Sequence, residues 1–464
     1  MRDNTKTAVV IVNWNRKEAV LKLLKSLQDT FSQNEEIVVV DNASTDGSVE
    51  AIRLQFPEVQ VITNSENKGG TAGFNAGIKH ALRRGDFEYI WLLDNDAQVE
   101  ENSFKELRRA MADHESIGLA GSRIIDSERN EITVEAGAFL RWDTIDVNPL
   151  FRNKKDFNPK TEVEDVDYVA ICSAMVRASS LSKVGLMDER FFFFWDDMDW
   201  GLRFRKSGFR VVSVLNSIVY HPAFTEKRSP VIDYYYGSRN GLLTYSKHTN
   251  YLIRARVFFN FLRFRSKVLL FWGMCGRPDL MLVGFRGLRD FIIGTWGGKV
   301  QITNHEKKYE TLYEFPEEAK NILILNGGSR DDIFSALNKL RESFPKSKLS
   351  LIMVEDRLDI YRDSFDDIIE LDSQKKYGLL YNIVVFFKLL LKNYDIAVNP
   401  NYPSPFSFAA KRAYDFDPGN NRFVENQNNR KNIWKLIAST LLGEAVGILL
   451  LPLVYVSSLR YKTS

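Results

Sequence analysis

Four short apolar runs in the first hundred residues each lead to asparagine or aspartate. This pattern constrains the fold more than any other feature of the chain. Ala8-Val9-Val10-Ile11-Val12 ends at Asn13, Ile37-Val38-Val39-Val40 at Asp41, and Val59-Gln60-Val61-Ile62 leads to Asn64. The fourth run, Tyr89-Ile90-Trp91-Leu92-Leu93, ends in Asp94-Asn95-Asp96. Runs of this length and β-branched content read as buried strands. Helical patterns lie between them, the first with Leu21, Leu24 and Leu27 on one face. Strands alternating with helices predict a mainly parallel, doubly wound α/β sheet, in which ligands bind beyond the carboxyl ends of the strands. Alternate strand residues share a face, so Asp94 and Asp96 are expected to face one point. Two hard oxygen donors there suit Mg²⁺ or Mn²⁺, which also take phosphate oxygens. Taken alone, the same residues fit a solvated Asx turn equally well.

At 464 residues the chain is too long for one ordinary domain. A net charge of +3 gives no argument for a nucleic-acid partner. The two cysteines, Cys172 and Cys275, stand far apart. They exclude a disulfide framework and a cysteine-rich metal site, and fit a reducing compartment. The polar start, Met1 to Thr7, leads straight into a strand without a signal-peptide pattern, so the N-terminal half is expected in the cytosol.

The stretch from Asn64 to Gly77 is rich in glycine. Gly69, Gly70 and Gly73 are expected to let the backbone approach a ligand, with the following helix start offering N–H groups to phosphate. It matches neither a Walker A loop nor a G-x-G-x-x-G fingerprint, and a glycine-rich turn is the plain alternative. Further on, Ile117 to Gly121 reads as a strand, Val134 to Trp142 as a hairpin over the site and Asp146 to Asp165 as a polar, mobile loop. Tyr168 to Val176 reads as a strand whose small central residues leave room for a ligand, with Cys172 in the core. Then Phe191-Phe192-Phe193-Phe194-Trp195-Asp196-Asp197-Met198-Asp199-Trp200 sets three aspartates among aromatic rings. Desolvated carboxylates of this kind have raised pKa values and suit a general base. The alternative is an acidic helix start capped by Asp196 or Asp197, with Arg203 paired on the same helix. The strand Phe209 to Val214 leads on to His221, which with Asp-x-Asp makes a plausible divalent-metal set.

Taken together these stretches resemble the inverting family 2 glycosyltransferases with the GT-A fold, over about the first 240 residues. The string Trp195-Asp196-Asp197-Met198-Asp199-Trp200-Gly201-Leu202-Arg203, followed by Val219-Tyr220-His221-Pro222, is most similar to the galactofuranosyltransferases of that family. The resemblance implies that Asn13 and Asp41 line a nucleotide-base pocket, and that Asn67, Gly70 and Asn75 lie in a stretch contacting ribose and diphosphate. It implies Asp94 and Asp96 as metal ligands beside the donor, with His221 as a further ligand. Asp197 matches the catalytic base, Asp196 a residue that binds acceptor or orients the site, and Trp195 a residue lining the acceptor face. The implied activity is metal-dependent transfer, with Mn²⁺ or Mg²⁺, of galactofuranose from UDP to a cell-surface or lipid-linked glycan. A rhamnosyltransferase using dTDP-rhamnose is the alternative within the family. Outside it stand a sugar nucleotidyltransferase, which would need a basic glycine-rich loop near the N-terminus, and a non-catalytic sugar-nucleotide binding protein.

The second half changes character. Lys247 to Asp290 mixes basic and aromatic residues at helical spacing, as in a helix on an anionic membrane surface; a helical hairpin packed on the first domain is the alternative. Nucleic acid is disfavoured by the acidic clusters on the same chain. Asn321 to Gly328 opens a small Rossmann-like α/β unit. The apolar run from Leu436 to Val456 is long enough to span a bilayer. Glu444, Pro452 and basic residues at both ends favour a tail in the interface. The expected division is 1–245 for the transferase domain, 246–315 for the basic helical segment, 316–430 for the second α/β domain and 431–464 for a membrane-associated tail. The expected location is the cytoplasmic face of the cell membrane, and the oligomeric state is left open.

Overall fold

The computed structural model describes residues 6–28, 34–127, 132–143, 145–151, 161–221, 230–298, 316, 318–325, 330–354, 361–372, 379–400, 404–417, 422–426 and 428–461. The chain opens with β1 (Thr7–Asn13), α1 (Lys17–Gln28), β2 (Glu35–Asp41), α2 (Ser48–Gln55), β3 (Gln60–Thr63), α3 (Gly69–Arg84) and β4 (Tyr89–Asp94). These strands are all parallel, in the order β3-β2-β1-β4. Beyond β4 come β5 (Gln98–Val99), α4 (Ser103–Asp113), β6 (Ile117–Asp126), β7 (Thr133–Glu135), β8 (Ala138–Leu140), β9 (Val147–Pro149), β10 (Val163–Asp165), β11 (Ser173–Arg177), α5 (Leu181–Val184), α6 (Asp196–Lys206) and β12 (Arg210–His221). β11 inserts antiparallel between β4 and β6, and β12 runs parallel to β6.

Helices cover both faces of this sheet, which is why its strands read as continuous apolar runs. Val9, Ile11, Trp91 and Leu93 point to one face and pack with Leu23, Leu24 and Leu27 of α1 and Leu107 and Met111 of α4. Ala8, Val10, Ile90 and Leu92 point to the other and pack with Phe74 and Ile78 of α3 and Trp200 and Phe204 of α6. Two of the glycines expected at a ligand serve packing instead. A Cβ on Gly73 would lie 2.8 Å from Val12 Cγ1, and one on Gly69 would lie 2.2 Å from the Phe192 carbonyl oxygen. Gly77 is equally tight, 2.2 Å from Val10 Cγ1, so α3 lies against β1 only because these positions lack side chains.

Several local expectations shift. The hairpin is β8 paired with β9, so Val147–Pro149 and Val163–Asp165 are strands inside the stretch read as a loop, while 152–160 falls outside the described residues. Only Ser173–Arg177 of the run from Tyr168 is strand. Helix α6 starts at Asp196, but its N-cap is Trp195, and no side chain caps it.

Helices α7 (Pro230–His248), α8 (Tyr251–Met274) and α9 (Pro278–Ile293) pack against one another and against the β8–β9 hairpin, Phe191, Trp195 and α6. Most of their rings turn inward: Phe258, Phe261, Phe271, Trp272 and Phe291 are buried, and Phe259, Phe264 and Phe285 are half-buried, which is the packed helical hairpin of the two expectations. A second sheet follows, made of β13 (Asn321–Ile324), α10 (Arg330–Ser343), β14 (Lys348–Val354), β15 (Asp367–Leu371), α11 (Leu379–Lys392), β16 (Ile396–Asn399), β17 (Arg412–Asp417) and β18 (Arg422–Asn426). Its order, β15-β14-β13-β16-β17-β18, parallel except for β18, is the Rossmann arrangement. The Gly327-Gly328 turn after β13 falls outside the described residues.

The last helix, α12 (Trp434–Ser458), lies along α8. Gly443 and Gly447 sit against the backbone of Lys267 and Arg263, and Glu444 pairs with both of those side chains. The opposite face exposes Leu441, Leu442, Ile448, Leu449, Leu453 and Val456. Among the described residues, the segment Arg430–Tyr461 is the one helix long and apolar enough to cross a membrane.

Candidate metal and acid–base site

The site forms at the carboxyl edge of the first sheet. β4 ends at Asp94, and a turn closed by the Ala97 N–H on the Asp94 carbonyl carries Asp96 round to the same side. The turn, rather than strand alternation, brings the two carboxylates together. Directly after it, Gln98 and Val99 of β5 pair with Tyr220 and Val219 of β12. That pairing sets His221, the last residue of β12, beside the turn. Its Nε2 lies 3.1 Å from Asp96 Oδ1 and 3.8 Å from Asp94 Oδ2. One donor atom from each of the three residues falls within 4.8 Å of the others. Two carboxylate oxygens and an imidazole nitrogen converging in this way fit a divalent ion such as Mn²⁺ or Mg²⁺.

The electrostatics agree with a site short of positive charge. Burial pushes Asp94 up to about 6, His221 opposes the shift, and Asp96 and Asp196 add to it by repulsion. Burial acts in the same direction on Asp96, but the hydrogen bond and charge of His221, with Arg16 nearby, hold it below the usual carboxylate range. Asp94 stays accessible, with 40% of its side chain exposed.

Asn95 faces the other way and ties the turn to the end of β1. Its Nδ2 donates to Asn13 Oδ1 at 2.8 Å, and Asn13 Nδ2 donates to Asp41 Oδ1 at 3.0 Å. Asp41 in turn accepts from the Ser44 N–H at 2.8 Å and the Ser44 hydroxyl at 2.6 Å. Asn13 and Asp41 are thus buried in one knot with Asn95 that shapes the loop Asn42–Asp46. On the glycine-rich side, Asn67 accepts from the Gly69 N–H at 2.8 Å, which turns the chain into α3, and Gly70 faces open space. Asn75 is not brought to the cleft: it is buried, its amide nitrogen donating to the Met187 carbonyl at 2.8 Å and its oxygen accepting from the Met187 N–H at 3.1 Å.

Asp196 and Asp197 begin α6 across from the metal cluster. Thr71 of α3 donates to Asp196 Oδ2 at 2.6 Å, joining the glycine-rich loop to the acidic helix. Burial raises the Asp196 pKa against that hydrogen bond. Asp197 Oδ1 accepts from the Met198 N–H at 2.8 Å, and its side chain is half-buried. Trp195 is 5% exposed and packs edge-on against Tyr245, so it lies beneath the aspartates and presents no open ring face.

The approach to α6 is strained. Phe192, Phe194 and Trp195 have φ of 65°, 72° and 75°, a region that large side chains avoid at a cost of about 1–3 kcal/mol each. Helix α7 supplies residues that sequence reading passed over. Arg239 and Asn240, both fully buried, bind the carbonyls of this arch. Seven residues on, Lys247 and His248 reach Asp199 of α6 at 2.7 and 2.8 Å. The available signal was a Ser238-Arg239-Asn240 string inside an otherwise aromatic and apolar helix.

The family profile described as Glycosyl transferase family 2 matches residues 8–185. Galactofuranosyltransferase GlfT1 of Mycobacterium tuberculosis is 24% identical over 230 residues, covering 48% of this chain and 72% of that protein. The N-acetylglucosaminyl-diphospho-decaprenol L-rhamnosyltransferase of the same organism is 25% identical over 244 residues, covering 48% of this chain and 78% of that one. Among solved structures, GalNAc-T7 with UDP, GalNAc and Mn²⁺ overlaps 53% of this chain and 48% of its own, at 16% identity and a TM-score of 0.43.

Proposed function

We propose that the chain, whose residues 8–185 match Glycosyl transferase family 2, is a metal-dependent inverting glycosyltransferase moving galactofuranose from UDP to a cell-surface or lipid-linked glycan. The observation that carries this reading is the convergence of Asp94, Asp96 and His221 on the sheet edge, with Asp196 close enough to raise the Asp94 pKa. Asp94, Asp96 and His221 would hold Mn²⁺ or Mg²⁺. When bound, the ion supplies positive charge against the diphosphate as the sugar departs. The knot of Asn13, Asn95, Asp41 and Ser44 forms the floor for the nucleotide base, and the open backbone at Gly70 gives the diphosphate room. Asp197 takes the proton of the acceptor hydroxyl as its oxygen bonds to the anomeric carbon, and UDP leaves from the opposite side. A single displacement inverts that centre. Asp196, held by Thr71, orients the acceptor.

Galactofuranose rests on the Trp195-Asp196-Asp197 string and the similarity to GlfT1. The rhamnosyltransferase relative keeps dTDP-rhamnose as the second reading. For location, α12 is proposed to lie along the cytoplasmic membrane surface. Its leucine face points outward, its back is occupied by the charged side chains of α8, and Arg430 at its start and Tyr461 beyond its end bind the backbone of the two globular parts.

A panel of UDP-galactofuranose, UDP-galactopyranose and dTDP-rhamnose, each with Mn²⁺ and glycolipid acceptors, tests the reading. The expected result is acceptor-dependent UDP release from UDP-galactofuranose alone. Release of dTDP from dTDP-rhamnose would favour the second reading. Pyrophosphate release would point to nucleotidyl transfer, and no turnover to a non-catalytic binding protein.

A further inference from the structure

The arch Phe191–Trp195 delivers Asp196 and Asp197 to the site, and it holds three large residues at positive φ. A backbone of this kind relaxes unless its surroundings over-determine it. The over-determination comes from one side-chain amide. Asn240 Nδ2 turns its two hydrogens to the carbonyls of Phe191, Phe193 and Phe194 at 3.0, 2.9 and 2.7 Å, one hydrogen being shared between two of them. Its oxygen is fixed in the opposite sense by Arg239 Nε at 2.9 Å, which sets the amide orientation. Arg239 also donates to the Phe191 carbonyl at 3.1 Å and to the Gly297 carbonyl at 2.9 Å, with its guanidinium over the rings of Tyr235, Tyr236 and Trp296. Gly241, the next residue, leaves space for Ile145: a Cβ there would lie 2.5 Å from Ile145 Cγ2, with the Trp195 indole in ordinary contact at 3.5 Å.

The arch touches the donor side as well. The Thr71 N–H donates to the Phe192 carbonyl at 3.3 Å, while the Thr71 hydroxyl holds Asp196. The arch is therefore the link between the glycine-rich loop and the acidic helix.

We propose that Arg239 and Asn240 are positioning residues: the pair clamps the Phe191–Trp195 arch in its strained form and so aims the Asp197 carboxylate at the acceptor hydroxyl. The clamp touches no substrate. It rests on the assignment of Asp197 as base. It acts on acceptor alignment, whereas Asp94, Asp96 and His221 lie on β4, the turn after it and β12, to which neither Arg239 nor Asn240 bonds.

The test is Asn240→Ala, with Asn240→Ser as a second variant that retains one donor. Three quantities are compared with the unmodified protein: acceptor-dependent transfer, the slow hydrolysis of the same donor by water, and the affinity for UDP with Mn²⁺. The expected result for Asn240→Ala is at least a tenfold loss of kcat for transfer, with donor KM, donor hydrolysis and UDP·Mn²⁺ affinity within twofold. Asn240→Ser falls between. A crystal structure of Asn240→Ala is expected to show Phe192, Phe194 or Trp195 leaving positive φ. A transfer loss below tenfold, a loss matched by hydrolysis and UDP·Mn²⁺ affinity, or an arch unchanged in the variant crystal would overturn the proposal. The crystal comparison decides the clamp even if the unmodified protein turns over none of the donors, a result that would count against the catalytic reading instead.

Discussion

At the scale of single residues, the site depends on unequal environments for similar side chains. Asp94 and Asp96 stand two residues apart, yet burial pushes one up to about 6 while His221 and Arg16 hold the other low. A metal binds the ionised carboxylate, so protons compete with it at Asp94. On the proposed ligand set, the affinity for UDP·Mn²⁺, measured by calorimetry, is expected to fall by at least about tenfold per unit below about pH 6, since a proton on Asp94 displaces the ion and a proton on His221 can only steepen the fall. Affinity flat from pH 7.5 to 5 would remove Asp94 from the ligand set. The two carboxylates were legible because strand pattern and motif coincide there, and His221 because it ends a strand. Asn75 and Trp195 were not, since a residue name carries no direction: one amide is spent on Met187, and the indole expected to line the acceptor face is buried against Tyr245.

At the scale of elements, close approach of backbones sets the geometry. Helix α3 reaches β1 through Gly73 and Gly77, and its first turn then carries Thr71 to Asp196. Gly77→Ala gains at most about 1 kcal/mol of helix propensity. Its Cβ would fall 2.2 Å from Val10 Cγ1, inside a packed face. Overpacking of this kind costs about 1–3 kcal/mol, so a net destabilisation is expected in urea unfolding, and a stabilised variant would mean that α3 does not sit this close. The parallel strands and covering helices were legible from apolar period and strand ends. The glycines were misread because freedom to approach a ligand and freedom to approach a strand look the same in a sequence. The inward aromatics of α8 left two readings open for a related reason: a helix packed on three sides by α7, α9 and α12 shows no single apolar stripe.

At the scale of the whole molecule, α8 and α12 run side by side, and α12 turns a row of leucines outward to solvent. If that face meets lipid, the paired substitution Leu449→Glu and Leu453→Glu should release the protein from anionic vesicles in flotation while leaving its melting temperature within a few degrees, because neither side chain supports the contact with α8. Unchanged flotation would place the membrane contact elsewhere. The Rossmann-like character of the second sheet was legible from its strand, glycine turn and helix, whereas the pairing of β17 with an antiparallel β18 joins strands that local pattern does not mark. The account as a whole divides the chemistry, with leaving-group stabilisation on β4 and β12 and proton removal at the start of α6. The most direct check is to measure UDP·Mn²⁺ affinity and glycosyl transfer together for Asp94→Ala and Asp197→Asn. The account predicts that Asp94→Ala loses both, while Asp197→Asn keeps the affinity within twofold and loses transfer by about 10²–10⁴-fold. Transfer by Asp197→Asn at near the unmodified rate, or loss of UDP·Mn²⁺ binding in that variant, would contradict it.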